Sequence, residues 1–219
     1  MSGIISAIYG ASGFGKEVLP LARNQNPSEE LYFIDDNLAG QSILGTRVLK
    51  YEEFLSLNAR EKRVAVAIAN SSVREQLTKK CMADGIHLWD IQAANTVVLD
   101  EVSIGPGHIL CPFVTLTSDI QIGKGFHANI YSYVAHECRI GDFVTFAPAV
   151  KCNGNVVVED HAYIGTGAII KQGTPARPLV IGRGAVIGMG AVVTKSVPPG
   201  TVVIGNPAKP LTKDTLKQP

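Results

Sequence analysis

Two short stretches of the chain carry residue types whose spacing can do chemistry. One is His136-Glu137, set in Tyr133-Val134-Ala135-His136-Glu137-Cys138-Arg139-Ile140-Gly141. An imidazole beside an acid can act as a base poised near neutral pH. Neighbours along an extended chain point in different directions, so Glu137 need not touch the imidazole, and a side chain that simply faces water is the plainer account of His136. The other stretch is Gly10-Ala11-Ser12-Gly13-Phe14-Gly15, followed roughly 20 residues later by Asp35-Asp36. Glycines let main-chain N–H groups approach a phosphate at the positive start of a helix, and an acid ending the next strand can accept ribose hydroxyls. The spacing is GxxGxG rather than GxGxxG, so a nicotinamide dehydrogenase has weak support. A tight strand-to-helix turn without a ligand also accounts for these glycines.

The elements that must position the glycine turn surround it. Ile4-Ile5-Ser6-Ala7-Ile8-Tyr9 reads as a buried strand, and a helical pattern begins at Lys16-Glu17-Val18-Leu19. A second strand, Leu31-Tyr32-Phe33-Ile34, ends in the two acids. A third, Val64-Ala65-Val66-Ala67-Ile68, runs through Asn70-Ser71-Ser72 into a helix from about Val73 to Ala83. Strand, turn, helix and strand make a βαβ unit on a parallel sheet, here assigned to residues 1–94.

His136 belongs to a different pattern. Residues 1–94 hold 7 Gly and 13 Val plus Ile, whereas residues 95–219 hold 15 Gly and 29 Val plus Ile. Enrichment in both strand and turn formers predicts many very short strands. Up to residue 188, Ile-Gly pairs begin at 104, 122, 140, 164, 181 and 187, so every separation among them but one is a multiple of six. Filling the gaps gives an apolar column through Val98, Ile104, Leu110, Leu116, Ile122, Ala128, Val134, Ile140, Phe146, Cys152, Val158, Ile164 and Ile170. A second column two residues earlier includes Val102, Val114, Cys138, Val144, Val150, Val156, Ala162, Ala168, Ala185 and Ala191. Residues two apart in a strand face the same side, so both columns point into one core. This six-residue repeat is the signature of a parallel β-helix, with residues 95–219 as its domain. The 17-residue step from Ile164 to Ile181 marks a slip, and Gly173-Thr174-Pro175-Ala176-Arg177-Pro178 within it reads as a loop thrown out of the coil. On this frame His136 falls near an outward corner. His108 falls on the inner column, His161 at a corner where it should be solvated, and His87 in a linker.

Composition bounds the rest. Over 219 residues the chain is 46% apolar and 18% charged with a net charge of +1, which excludes disorder and argues against nucleic-acid binding or an anionic-membrane face. No apolar run is long enough for membrane insertion and the start lacks a signal peptide, so the expected location is the cytoplasm. Cys81, Cys111, Cys138 and Cys152 follow no zinc spacing and read as reduced, packed thiols.

The hexapeptide columns, the opening Gly10-Ala11-Ser12-Gly13-Phe14-Gly15-Lys16-Glu17-Val18 and the turn Ile204-Gly205-Asn206-Pro207-Ala208-Lys209 together resemble the left-handed β-helix acyltransferases. The nearest subgroup is similar to the sialic-acid O-acetyltransferases and the bacillosamine-pathway amino-sugar N-acetyltransferases. The resemblance covers nearly the whole chain and implies an α/β Rossmann-like unit followed by an all-β left-handed β-helix. It implies His136 as general base, Glu137 as the group that tunes it, and Asn129 as a helper to the base or acceptor. Some relatives carry a second His where Thr145 stands. It further implies a homotrimer with acetyl-CoA along one groove, lined by Gly154, Ile187, Gly188, Lys195, Asn206, Pro207 and Lys209, and with no metal. Gly10, Ser12, Gly13, Phe14, Gly15, Asp35 and Asp36 are then expected to hold a nucleotide-linked sugar. The implied activity is acetylation of the 4-amino group of a UDP-linked 4-amino-4,6-dideoxy sugar. Sugar O-acetylation, sialic acid included, and a noncatalytic sugar-nucleotide-binding trimer are the alternatives.

Overall fold

A computed structural model describes residues 3–212; the segment from Thr212 to Pro219, whose polar sequence reads as a fraying tail, lies beyond its first residue outside the described residues. The chain divides into two compact units, Met1–Ala94 with Pro106–Ile109, and Asn95–Gly105 with Leu110–Pro219.

The first unit is built on β1 (Ile4–Tyr9), α1 (Gly13–Gln25), β2 (Glu30–Ile34), β3 (Ser42–Ile43), β4 (Thr46–Leu49), α2 (Tyr51–Ser56), β5 (Glu61–Val66), α3 (Ser71–Ala83) and β6 (His87–Leu88). Its sheet runs β3-β4-β2-β1-β5-β6, parallel except for the β3–β4 hairpin. β1 is central and buried from Ile5 onward, which is why it reads as a continuous apolar run rather than an alternation. α1 begins at Gly13, earlier than its apolar pattern, and buries Gly15, Val18, Leu19 and Ala22 along one face. Gly15 is required there, because a Cβ would meet the Gly10 carbonyl oxygen. α2, β3 and β4 are not foreseen in the sequence, being too short to show a period.

The second unit is a three-faced parallel β-helix. One face stacks His127–Ala128, Thr145–Phe146, Tyr163–Ile164, Val186–Ile187 and Val202–Ile204. The next stacks Val97–Val98, Thr115–Leu116, Tyr133–Val134, Lys151–Cys152, Ile169–Ile170 and Val192–Val193. The third stacks Val102–Ile104, Ile120–Ile122, Arg139–Ile140, Val156–Val158 and Leu179–Ile181. Partners lie 18 residues apart, as in Thr115 with Tyr133, three hexads to a coil. Column members from Leu110 to Ile170 are at most 5% exposed, but Val98 at 37% belongs to the less covered first coil. Cys138 and Cys152 are fully buried, as their inward positions predict.

The slip has a simple cause. Val156 pairs with Leu179, 23 residues on, so the loop adds five residues to one coil. Counted in sixes, a gain of five and a loss of one look the same. At the far end Lys209–Pro210 pairs antiparallel with Val202–Ile204 and covers the last exposed edge.

The corners explain how the coils close. Glu101, Asp119, Glu137 and Asn155 share one edge, Phe113, Tyr131 and Ala149 another, and Phe143 and His161 the third. All nine have φ between 52° and 63°. This left-handed turn aims the residue's N–H down the axis: Glu137 N donates to the Ser118 carbonyl at 3.1 Å and Asn155 N to that of His136 at 3.0 Å. Side chains along an edge therefore stack, as Phe113 does on Tyr131 with centroids 4.8 Å apart. His161 is half-buried and stacks on Phe143 at 5.7 Å, rather than standing in solvent, because the corner geometry superposes the two rings.

Candidate active site

Glu137 and Asn155 are successive rungs of one edge, and His136 precedes Glu137 on it. The turn at Glu137 swings its carboxylate back toward its own neighbour, so His136 Nδ1 lies 3.0 Å from Glu137 Oε2. The same oxygen accepts a hydrogen bond from Asn155 Nδ2 at 2.9 Å. Hydrogen bonding from His136, then from Asn155, holds the Glu137 carboxyl below the ordinary glutamate range. An anion beside Nδ1 keeps a proton there and leaves Nε2 as the basic nitrogen. The two side chains are 60% and 44% exposed, so a substrate can reach them.

One coil on, Gly154 underlies the imidazole. A Cβ at this position would lie 2.5 Å from His136 Cε1 and 2.6 Å from Nε2, so only glycine leaves room for the ring. The Gly154 carbonyl accepts from Gly173 N at 3.0 Å, while its N–H has no protein acceptor among the described residues. Continuing up the same edge come Gln172 and Lys195. Lys171, Arg177 and Lys195, with Gln172, Thr174 and Thr194, surround a groove of about 430 Å³. None of these three cations has a carboxylate partner among the described residues. Lys171 and Arg177 carry no signal in the sequence, because the loop that holds Arg177 breaks the repeat.

Asn129 sits elsewhere. It follows Ala128 at the other end of the second face, its Nδ2 donates to the Phe146 carbonyl at 2.9 Å, and no hydrogen bond joins it to His136. Thr145 is buried and in register with His127. Gly188, Asn206 and Pro207 fall on the Asn129 side, and Lys209 pairs with Ile204 in the closing hairpin. The Ile187 side chain is fully buried in the solenoid core, because it belongs to the inner column, so only its main chain is left for a ligand. The expected donor residues therefore lie along two edges of one prism rather than in a single cleft of it.

In the first unit the expected turn residues do meet at the carboxyl ends of β1 and β2. Ser12 occupies the N-cap of α1 with its side chain exposed and making no capping bond; Gly13 is exposed and Phe14 half-buried. Both acids have structural work. Asp35 accepts from Ala11 N at 3.2 Å and from Asn37 N at 3.1 Å, tying the glycine turn to β2. Asp36 Oδ1 accepts from Tyr51 N at 2.9 Å, satisfying the start of α2. Tyr9 and Tyr51 stack beside them, and burial first, then Asp36, pushes the Tyr9 hydroxyl up to about 12.

Comparison with known proteins resolves what this arrangement belongs to. Residues 7–81 match the family model described as the PglD N-terminal domain. Over 94% of the chain and 96% of the relative, the sequence is 51% identical to a GDP-perosamine N-acetyltransferase of Escherichia coli O157:H7. The chain belongs to the hexapeptide-repeat sugar acetyltransferases. Among solved structures of this family, WeeI from Acinetobacter baumannii AYE is 62% identical, with a TM-score of 0.94 over 95% of this chain and all of that one. The acetyltransferase domain of PglB from Neisseria gonorrhoeae FA1090 in complex with acetyl coenzyme A is 30% identical, with a TM-score of 0.84 over 94% of this chain and 98% of that one. As a sugar acetyltransferase of this kind, the chain has a Rossmann-like first unit and a β-helix of the left-handed class. No helix among the described residues is long and apolar enough to cross a membrane.

Proposed function

We propose that the enzyme transfers the acetyl group of acetyl-CoA to the 4-amino group of a nucleotide-linked 4-amino-4,6-dideoxy sugar. The observation that carries this reading is the His136–Glu137 pair standing over Gly154. His136 Nε2 takes a proton from the amine, directly or through water, as the nitrogen forms its bond to the thioester carbon. The Gly154 N–H, which lacks a protein acceptor among the described residues, donates to the developing oxyanion. Collapse breaks the C–S bond, the thiolate takes up a proton, and free CoA and the amide leave. A neutral amine is a better nucleophile than a hydroxyl, so an exposed imidazole with a fixed tautomer suffices.

The groove of Lys171, Arg177 and Lys195 suits the phosphates of the donor. Three coil steps separate His136 from Lys195, about 14 Å at the usual strand spacing. A pantetheine arm of about 13 bonds, at roughly 1.2 Å each, spans about 16 Å. The glycine turn, Asp35 and Asp36 are assigned to the sugar nucleotide. Splitting of the expected donor residues over two edges supports a homotrimer, in which one prism's Asn129 edge meets the His136 edge of a neighbour. The family resemblance implies UDP as carrier, whereas the 51% identical relative is named for a GDP sugar, so both nucleotides must be compared.

The test offers acetyl-CoA with UDP-, dTDP- and GDP-linked 4-amino sugars and their hydroxyl counterparts, following thiol release. Turnover confined to amines is expected. Turnover confined to hydroxyl sugars would assign O-acetylation instead, and turnover with neither would leave a noncatalytic binding trimer.

A further inference from the structure

The site contains a residue that neither the sequence motifs nor the family comparison assigns. We propose that Asn155 is a positioning residue of the transfer reaction, holding the Glu137 carboxylate in the one orientation that fixes the tautomer of His136. The inference rests on the reading of His136 as the base.

Asn155 stands 18 residues after Glu137 and is the next rung of the same edge, so the period alone puts it over the carboxylate. Its own backbone is pinned on both sides. Its N–H donates to the His136 carbonyl at 3.0 Å, and its carbonyl accepts from Leu179 N at 3.2 Å, on the strand that follows the extruded loop. A φ of 57° suits asparagine better than most side chains. From this anchored corner Nδ2 reaches Glu137 Oε2 at 2.9 Å, the oxygen that also faces His136 Nδ1 at 3.0 Å.

The chemistry selects an amide here. Glu137 is a flexible, half-exposed side chain, and a single bond to an exposed imidazole would hold it weakly. A second donor on the same oxygen removes that freedom and keeps the carboxylate ionised. An aspartate at 155 would be similar in size but would place a second anion against the first. Of the other charges along this edge, Asp119 is engaged by Arg139 through Nη2 at 3.0 Å, and Arg139 also donates to the carbonyl of Asp119. Cys138, the next residue in sequence, points inward and is fully buried. Besides His136 itself, Asn155 is thus the one side-chain donor serving Glu137 among the described residues.

Two variants separate positioning from mere structure. Asn155→Gly retains the left-handed backbone and deletes only the amide; Asn155→Asp keeps the shape and reverses the polarity. Asn155→Gly should lower kcat about tenfold, leave the KM for acetyl-CoA within about twofold and leave the melting temperature nearly unchanged. Asn155→Asp should move the acidic limb of the kcat/KM profile up by about one pH unit, because a second carboxylate favours the imidazolium. In a Glu137→Gln background, adding Asn155→Gly should cost nothing further. Wild-type kcat and pH profile in both single variants, or full additivity with Glu137→Gln, overturns the proposal. If the wild type turns over no amino sugar, the functional reading fails, but NMR titration of the His136 ring still decides this one: an unchanged midpoint in Asn155→Asp refutes it. If Asn155→Gly fails to fold, the pH profile of Asn155→Asp decides alone; if Asn155→Asp fails to fold, Asn155→Gly and the double variant decide.

Discussion

Replacing Gly154 with alanine puts the proposed chemistry under the sharpest strain. The added methyl would stand 2.5 Å from His136 Cε1, 2.6 Å from Nε2 and 2.9 Å from Nδ1. Ordinary carbon contacts begin at about 3.5 Å, so the ring must retreat by about 1 Å. Most of the ring is open to solvent and can move without disturbing the core, hence the melting temperature should shift by no more than a degree or two. The base, however, leaves its place over the Gly154 N–H and its bond to Glu137. A displacement of this size typically costs about a hundredfold in rate, equivalent to about 2.7 kcal/mol of barrier. The assay is thiol release from acetyl-CoA with the best amino-sugar nucleotide of the panel. All four cysteines are buried, so the protein adds little background to a thiol reagent. A Gly154→Ala enzyme with kcat within twofold of wild type would refute the placement of His136 as base over Gly154.

Other outcomes follow from the same geometry. His136→Ala should lower kcat by at least about a hundredfold while acetyl-CoA binding, read by calorimetry, stays intact. Converting Lys171 and Arg177 together to alanine should raise the KM for acetyl-CoA severalfold and leave kcat near normal; an unchanged KM would remove the loop from the donor site. Asp36→Ala should weaken sugar-nucleotide binding and also destabilise the first unit by about 1 kcal/mol through the lost contact with α2, measured by urea unfolding. Because the Tyr9 hydroxyl is raised to about 12, the unfolded chain ionises first, so its contribution is complete below about pH 10 and vanishes as pH climbs through about 12. Ultraviolet titration should show Tyr9→Phe lacking one late-ionising group. The Glu137 carboxyl is lowered, so any stabilisation it gives is present above the usual glutamate range and fades as pH falls through its folded value. The melting difference between wild type and Glu137→Gln should accordingly shrink below about pH 4.

Much of the fold was legible because a six-residue apolar period leaves few alternatives. The columns from Leu110 to Ile170 are buried, and the extruded loop lies where the prolines put it. The period could not tell a gain of five residues from a loss of one, since apolar spacing reports phase and not length. Within the site, adjacency in sequence was a poor guide to contact. An extended chain would send His136 and Glu137 apart, but a left-handed corner folds one back upon the other. Asn155 was findable from the 18-residue step, though not from any local motif. Asp35 and Asp36 illustrate the opposite difficulty: carboxylates at a strand end satisfy backbone N–H groups as readily as ligand hydroxyls, and here each already bonds a backbone N–H.

The stacking of whole coils gives the edge that bears His136 the property of a ruler. Its graduations are single strand spacings, and its zero is the imidazole. Duplication or loss of one complete coil between Gly154 and the loop would preserve every main-chain ladder while sliding the three cations by one graduation, about 4.8 Å. Carriers with longer or shorter arms would then fit a lineage that changed nothing in its reactive corner. Insertions of any other length must be expelled sideways, as the five residues before Leu179 have been.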